Sequence, residues 1–273
     1  MRILITGGSG YLGSNIIRKF CNEHQFINIS LTSAAKQASV NVLIDITKSL
    51  AFLNFDKPID IIINCVECFP QRYENGEKMK KSYLTMMRNL VEFARNNSIS
   101  KIIHFSINHI NTIENNYQQA KFVAEGLIKN AGINYIIFKP SIIFGQNSPL
   151  DYLIDKLIAK AILFRFWSDD AKLAPVHISD VLSNIEHAMH ENNCWNESYT
   201  LRGPEILRFE EMLVRKMHKR PIVLNAPNAI VRQSLIAGSN IPEKMKLLLD
   251  WVNSDGLGFS RPLLRPQHFY SHK

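Results

Sequence analysis

Apolar and polar positions along the chain alternate between two periods. Ile3 to Ile5 is a compact apolar run, after which Leu12, Ile16, Ile17 and Phe20 recur at three- and four-residue spacing. The run reads as a buried strand and the spaced set as one face of a helix. Further strands are expected over Phe26 to Leu31, Val40 to Ile44, Ile59 to Cys65, Lys101 to Ser106 and Asn134 to Pro140. Between them, Glu77 to Asn97 carries Met79, Tyr83, Met86, Met87, Leu90 and Phe93 on one helical stripe, read as core, or as core plus a dimer face. Strands as apolar as 59–65 suit a parallel sheet covered by helices on both faces. The expected class is α/β.

The join between the first strand and the first helix is Thr6-Gly7-Gly8-Ser9-Gly10-Tyr11-Leu12-Gly13. Gly7 permits a sharp turn, Gly10 lets backbone N–H groups approach a pyrophosphate, and Gly13 lets the helix close on the strand with its positive end toward the anion. This is the turn of a Rossmann-like, doubly wound sheet that holds a dinucleotide, with Gly7, Gly10, Tyr11, Leu12 and Gly13 against it. An acidic residue at the end of the second strand would take a ribose 2′-hydroxyl and select NAD. The chain has Leu31-Thr32-Ser33-Ala34-Ala35-Lys36 instead. Hydroxyls followed by a cation suit a 2′-phosphate, which favours NADP(H) over NAD(H) without excluding the latter.

Composition narrows the class further. At 273 residues, 46% hydrophobic and 21% charged, the chain has material for one α/β domain and a smaller lobe. The glycine turn leaves no room for a signal peptide, and the most apolar stretch, Tyr152 to Phe166, is interrupted by Asp155, Lys156, Lys160 and Arg165, so no transmembrane segment and a cytoplasmic protein are expected. Cys21, Cys65, Cys68 and Cys194 read as reduced thiols, and Cys65-Val66-Glu67-Cys68 lacks a second pair to complete a zinc site. No metal is expected. The net charge of +8 makes anionic partners plausible, but the cations are scattered, with modest clusters near 78–81 and 215–220 and no aromatic-interleaved basic stripe. A nucleic acid partner is therefore disfavoured.

Asn116-Tyr117-Gln118-Gln119-Ala120-Lys121 opens a helix after the fifth strand and puts Tyr117 and Lys121 one turn apart on one face. A phenol is a poor base at neutral pH. An ammonium beside it favours the phenolate, and a tyrosine so placed can exchange a proton with a substrate hydroxyl or carbonyl.

The Thr6-Gly7-x-x-Gly10-x-x-Gly13 turn and the Tyr117-x-x-x-Lys121 pair together resemble the short-chain dehydrogenase/reductase superfamily. Lys139-Pro140-Ser-Ile-Ile-Phe-Gly145 is similar to the R-P-x-x-x-x-G signature of its extended, NAD-dependent epimerase/dehydratase-like members, with lysine in place of arginine. The resemblance implies that Asp45 and Ile46 contact adenine and that Asn64, Cys65 and Val66 line the cofactor cleft. It further implies that Lys121 binds the nicotinamide ribose, that Pro140 to Ile143 contact the nicotinamide amide, and that Tyr117, Lys121 and Ser106 are catalytic. His104-Phe-Ser106, Ala174-Pro-Val-His177-Ile-Ser-Asp180 and Tyr199-Thr-Leu-Arg-Gly203-Pro-Glu205 resemble an atypical branch that includes the nucleotide-binding accessory subunit of respiratory complex I and its bacterial relatives.

Two departures stand out. The extended members carry two successive hydroxyl residues where this chain has Ser106-Ile107, and their usual helix asparagine falls on Ser82 or Tyr83. Ser106, Asn108 or His109 are candidates for the missing donor. Asp180 is expected to cap a helix over Val181 to His190, and His177 to end a strand. The expected units are a dinucleotide domain over 1–145 and 175–202, a substrate lobe over 146–174 and 203–255, and a tail over 256–273 that docks on the body or a partner, or stays mobile. Lobe helices are expected over 208–218, 229–237 and 243–252, with Phe164, Phe166, Trp167, Asp169 and Asp170 near a pocket.

Three functions follow from the resemblance. One is hydride transfer between a nicotinamide and a small carbonyl or hydroxyl substrate, with Tyr117 as proton donor or acceptor. Another is a non-catalytic NADPH-binding structural or sensing subunit. The third is a nucleotide-sugar epimerase or dehydratase. A homodimer or larger assembly is compatible with each, and the substrate is not specified.

Overall fold

The computed structural model describes residues 1–51, 53–67, 74–108, 115–158, 162–164, 172–217, 222–224 and 263–268. His109, Cys68, Phe166, Trp167, Asp169, Asp170 and the helices expected over 229–237 and 243–252 lie outside them.

The first half of the chain runs β1 (Arg2–Thr6), α1 (Tyr11–Phe20), β2 (Gln25–Ser30), β3 (Val40–Leu43), β4 (Ile61–Asn64), α2 (Gly76–Asn96), β5 (Lys101–Phe105), α3 (Asn116–Lys129) and β6 (Asn134–Pro140). There follow β7 (Ile143–Phe144), α4 (Pro149–Ile158), β8 (Ile162–Phe164), β9 (Lys172–Leu173), β10 (Val176–His177), α5 (Ile178–His190), β11 (Glu197–Leu201), β12 (Leu207–Arg208), α6 (Phe209–Met217) and β13 (Ile222–Leu224). Seven of these strands form one parallel sheet in the order β11-β6-β5-β4-β1-β2-β3. The order reverses between β1 and β4. In an open sheet that reversal leaves a crevice beyond the carboxyl ends of the two strands, where ligands bind.

Alternation along the strands divides the core into two layers. Leu4, Ile62 and Ile102 face α2 and α3, against Met79, Tyr83, Met87, Ala120 and Ile128. Their neighbours Ile3, Ile5, Ile63 and Ile103 face α1 and α5, against Ile16, Phe20, Val181 and Ile185. The methionine stripe of α2 is core, as its spacing suggested. Asn75 and Asn115 start α2 and α3 by accepting from the backbone N–H groups of Lys78 and Gln118. Three small two-stranded pairings, β7 with β10, β8 with β13 and β9 with β12, lie outside the main sheet.

α5 departs from the sequence expectation. It begins at Ile178, and its cap is the His177 ring, which accepts from Ser179 N–H at 3.3 Å. Asp180 lies inside the first turn, buried, and serves the chain's far end instead. Its carboxylate accepts from the backbone N–H groups of Gln267 and His268, both at 3.2 Å, and pairs with His268 Nδ1 at 2.7 Å. One turn on, Asn184 Oδ1 accepts from Leu264 N–H at 3.0 Å, and Leu263 packs into the α1/α5 layer. The segment 263–268 is thus docked on the body. A buried carboxylate that satisfies two backbone donors and an imidazole contributes about 2 kcal/mol. Asp180→Ala should lower stability by about that amount in urea unfolding and speed tryptic cleavage after Arg265, and Asp180→Asn should lie between the two.

Candidate functional site

The turn after β1 is held by close backbone approaches. Gly7 has φ +74, and a Cβ there would stand 2.9 Å from the Cys65 carbonyl oxygen at the end of β4. A Cβ on Gly13 would stand 2.4 Å from the Gly7 oxygen, so only glycine lets α1 come this close. Gly10 N-caps α1 without a side-chain hydrogen bond, and the first turn carries no acidic residue, which leaves helix N–H donors and a positive dipole end facing the crevice. Above them the Tyr11 hydroxyl is buried without a hydrogen-bond partner among the described residues. Burial, reinforced by Asp151 and opposed by Arg18, pushes its pKa up to about 12. A glycine cradle, open helix donors and an orphaned hydroxyl fit a bound pyrophosphate and its ribose.

The loop after β2 is built for polarity without negative charge. Leu31, Thr32, Ser33 and Lys36 are exposed. Beneath them Asn28 Oδ1 accepts from Gly8 N–H at 3.0 Å, and its Nδ2 donates to Asn41 at 2.9 Å and Ser30 at 3.2 Å. These bonds tie the loop to the glycine turn. Asp45 closes its own turn, accepting from Thr47 N–H and Oγ1, and Ile46 is buried in the α2 layer.

Asn64, expected along the cleft, is almost wholly buried and works as a strut. Its Oδ1 accepts from Thr6 Oγ1 at 2.6 Å and from Val66 N–H at 3.2 Å, so its Nδ2 donates, to His104 Nδ1 at 2.9 Å. That assigns the proton of His104 to Nε2, which is buried with no hydrogen-bond partner among the described residues. Burial, with Lys121 and Lys139 adding and Glu125 opposing, pulls His104 down to about 3. Cys65 and Val66 are partly exposed at the crevice, and burial pushes the Cys65 thiol up against the opposing Lys121 charge.

α3 brings Tyr117 and Lys121 together as its spacing implied. The Lys121 ammonium lies 5.8 Å from the Tyr117 ring centroid and 4.9 Å from that of Tyr83 on α2. The lysine side chain is only 1% exposed; its Nζ meets Glu67 Oε2 at 3.0 Å and the Phe105 carbonyl at 3.5 Å. Burial alone would lower the Lys121 pKa. The Glu67 carboxylate, then Tyr83 and Tyr117, outweigh it and hold the lysine well above its ordinary value. Glu67 is not marked out by pattern, whereas Tyr83 is one of the two residues that fall at the extended members' helix asparagine. Glu67 stands three residues beyond a buried strand in the crevice, a carboxylate where the chain turns to solvent. Tyr83 also sits on the helical stripe that reads as core.

Ser106 points elsewhere. Its Oγ donates to Glu125 Oε1 at 2.7 Å, and Glu125 Oε2 pairs with Lys139 at 2.9 Å. Lys139 is the residue at the arginine position of the signature, and its charge secures a buried carboxylate. Ile107 is buried in the α2/α3 layer, and Asn108 accepts from Thr200 Oγ1 at 3.3 Å. Pro140 ends β6 in register with Leu201, and Ile143 lies partly exposed in β7 beside β10.

The sheet order, the crevice and the glycine turn define a Rossmann-like protein. Residues 3–194 match the NAD dependent epimerase/dehydratase family, and the chain belongs to it. Among solved structures it is similar to a nucleoside-diphosphate-sugar epimerase from Staphylococcus aureus, at TM-score 0.71 and 15% identity over 99% of both chains. It is also similar to the UDP-glucuronic acid 4-epimerase from Bacillus cereus in complex with UDP-glucuronic acid and NAD, at TM-score 0.65 and 15% identity over 92% of this chain and 99% of that one. A curated relative is the mitochondrial NADH-ubiquinone oxidoreductase 40 kDa subunit of Neurospora crassa, 21% identical over 84% of this chain. The chain spans 63% of that relative's length. No helix among the described residues is long and apolar enough to cross a membrane.

Two outcomes follow from this geometry. Gly13→Ala forces a methyl against the Gly7 carbonyl and should cost about 1–3 kcal/mol in urea unfolding. His104 stays neutral in the folded protein far below the pH at which it protonates in the unfolded chain, so the unfolded state binds the extra proton. Stability from this group is full above about pH 6.5 and falls with decreasing pH, by at most ~1.4 kcal/mol per unit. The difference between wild type and His104→Gln, measured by urea unfolding at pH 7 and pH 5, should therefore shrink at the lower pH.

Proposed function

We propose that the protein binds a nicotinamide dinucleotide along the crevice and exchanges hydride between it and a small carbonyl or hydroxyl substrate. The observation that carries this reading is the Lys121 ammonium buried beside Tyr117 on the same face of α3. The nicotinamide supplies the hydride acceptor or donor. Gly7, Gly10, Tyr11, Leu12 and Gly13 hold the pyrophosphate, and Tyr117 donates or accepts the proton at the substrate oxygen. Lys121 fixes the positive charge that favours the anionic tyrosine. The lobe expected over 146–174 and 203–255 would shape the substrate pocket. Thr32, Ser33 and Lys36, with no carboxylate among residues 31–39, support NADP(H) over NAD(H). The outward faces of α2 and α3, with Phe122 55% exposed, suit a second copy of the chain.

A second reading has its own support. Ser106 is committed to Glu125 and Ile107 to the core, so among the described residues no hydroxyl from this strand end is placed to hold a substrate oxygen. A protein that keeps the dinucleotide as a structural or sensing ligand would tolerate that loss, and the Neurospora crassa relative is named as a subunit of a larger enzyme. The sugar-nucleotide reading rests on fold likeness alone.

Thermal unfolding with NADPH, NADP, NADH and NAD separates these. A dinucleotide at a hundred times its Kd adds ~2.7 kcal/mol and raises Tm by several degrees. The expected result is a larger shift with NADPH than with NADH, reduced by Lys36→Ala, whereas no shift with any of the four removes the reading. Tyr117→Phe should then lower turnover of a carbonyl substrate at least ~100-fold while leaving the NADPH-induced shift in place. Tightly held NADPH that no carbonyl or quinone oxidises selects the non-catalytic alternative, and stabilisation by UDP-sugars selects the epimerase.

A further inference from the structure

The ion pair between Lys121 and Glu67 has a consequence for how the crevice fills. Lys121 is sealed from solvent, so nothing can reach its Nζ unless a protein group withdraws. The Phe105 carbonyl belongs to the sheet and the Tyr83 ring to the core, and Tyr117 is fixed on α3, so none of these can withdraw without breaking a layer. Glu67 differs from all of them. It lies three residues past the end of β4, its side chain is 27% exposed, and the loop that carries it borders the crevice beside Cys65, whose carbonyl packs on Gly7. We propose that Glu67 is a displaceable stopper on Lys121. Its carboxylate holds the ammonium in the empty protein, and the hydroxyls of the nicotinamide ribose take its place when the dinucleotide binds.

The exchange is chemically sensible on both sides. A buried ammonium without a partner is strongly unfavourable, so an empty site needs a counter-ion. A ribose diol offers neutral acceptors to the same donor, and the released carboxylate is rehydrated at the crevice mouth. The dinucleotide must therefore bind against the strength of the ion pair, and its adenosine half, which does not reach Lys121, must not. Glu67 is on this account a positioning residue that sets affinity for one half of the ligand.

This inference rests on the proposed binding of a dinucleotide, and the test separates the two. Carboxyl footprinting by carbodiimide and glycine ethyl ester, read by mass spectrometry, is carried out on the wild-type protein alone, with NADPH, and with 2′,5′-ADP. If NADH stabilises the protein better, NADH and ADP replace them. Labelling of Glu67 should rise at least threefold with the dinucleotide and stay unchanged with the half-ligand. In parallel, Glu67→Gln should tighten the dinucleotide about tenfold and alter the half-ligand less than twofold, with Glu67→Asp giving a smaller gain should the glutamine variant fold poorly. A dinucleotide that binds while Glu67 labelling falls or stays level overturns the stopper and leaves the binding reading intact. Failure of every dinucleotide to bind overturns both.

Discussion

The constraint on which the rest of the structure depends is the distance of closest approach between α1 and the ends of β1 and β4. Three backbone segments meet there with no room for a methyl group: Gly13 lies on the Gly7 oxygen, and Gly7 lies on the Cys65 carbonyl. Because α1 is pressed onto the sheet at its first turn, its unpaired N–H groups open directly over the crevice rather than above a side chain. The same contact sets the height of β4 relative to β1. It therefore fixes where the chain leaves β4 and where Glu67 meets Lys121. A looser turn would move the glycine turn and the Lys121–Glu67 pair apart.

Much of the fold is legible because its elements declare themselves locally. Strands buried on both faces are apolar at every position, and helices packed on one face carry a stripe, so the sheet and both of its layers follow from periodicity. The start of α5 did not. An aspartate just after a serine looks like a cap, and the imidazole of His177 does that work instead, because Asp180 is claimed by a segment more than eighty residues away. Long-range competition for one carboxylate leaves no trace in local spacing.

The site divides along the same line. The placement of Gly7, Gly10, Gly13, Tyr117 and Lys121 is legible since each lies within one turn or one helix and their spacing is their geometry. The contacts of Glu67, Tyr83, Glu125 and Lys139 are not, although Tyr83 and Lys139 stand at signature positions, because each is made with another element. Asn64 shows the converse. Its position beside the crevice suggested a lining role, and its hydrogen bonds with Thr6, Val66 and His104 turn it into a strut across three strands. The orientation of that strut is set by one backbone donor, and through it the tautomer of a buried histidine is set as well.

Two acidic side chains, the partly exposed Glu67 and the buried Glu125, each hold a lysine. Glu67 pairs with the lysine beside Tyr117, and one turn further along α3 Glu125 ties Ser106 to Lys139. The lysine at the signature position and the serine that turns away from the crevice are thus two ends of one buried network and not independent losses. Retaining Ser106 without its hydroxyl neighbour makes sense in those terms, since a buried Glu125 needs a donor wherever the substrate lies. What distinguishes this crevice is therefore a changed distribution of charge beneath an unchanged turn. The Lys121 charge is shared between the Glu67 carboxylate and the rings of Tyr83 and Tyr117.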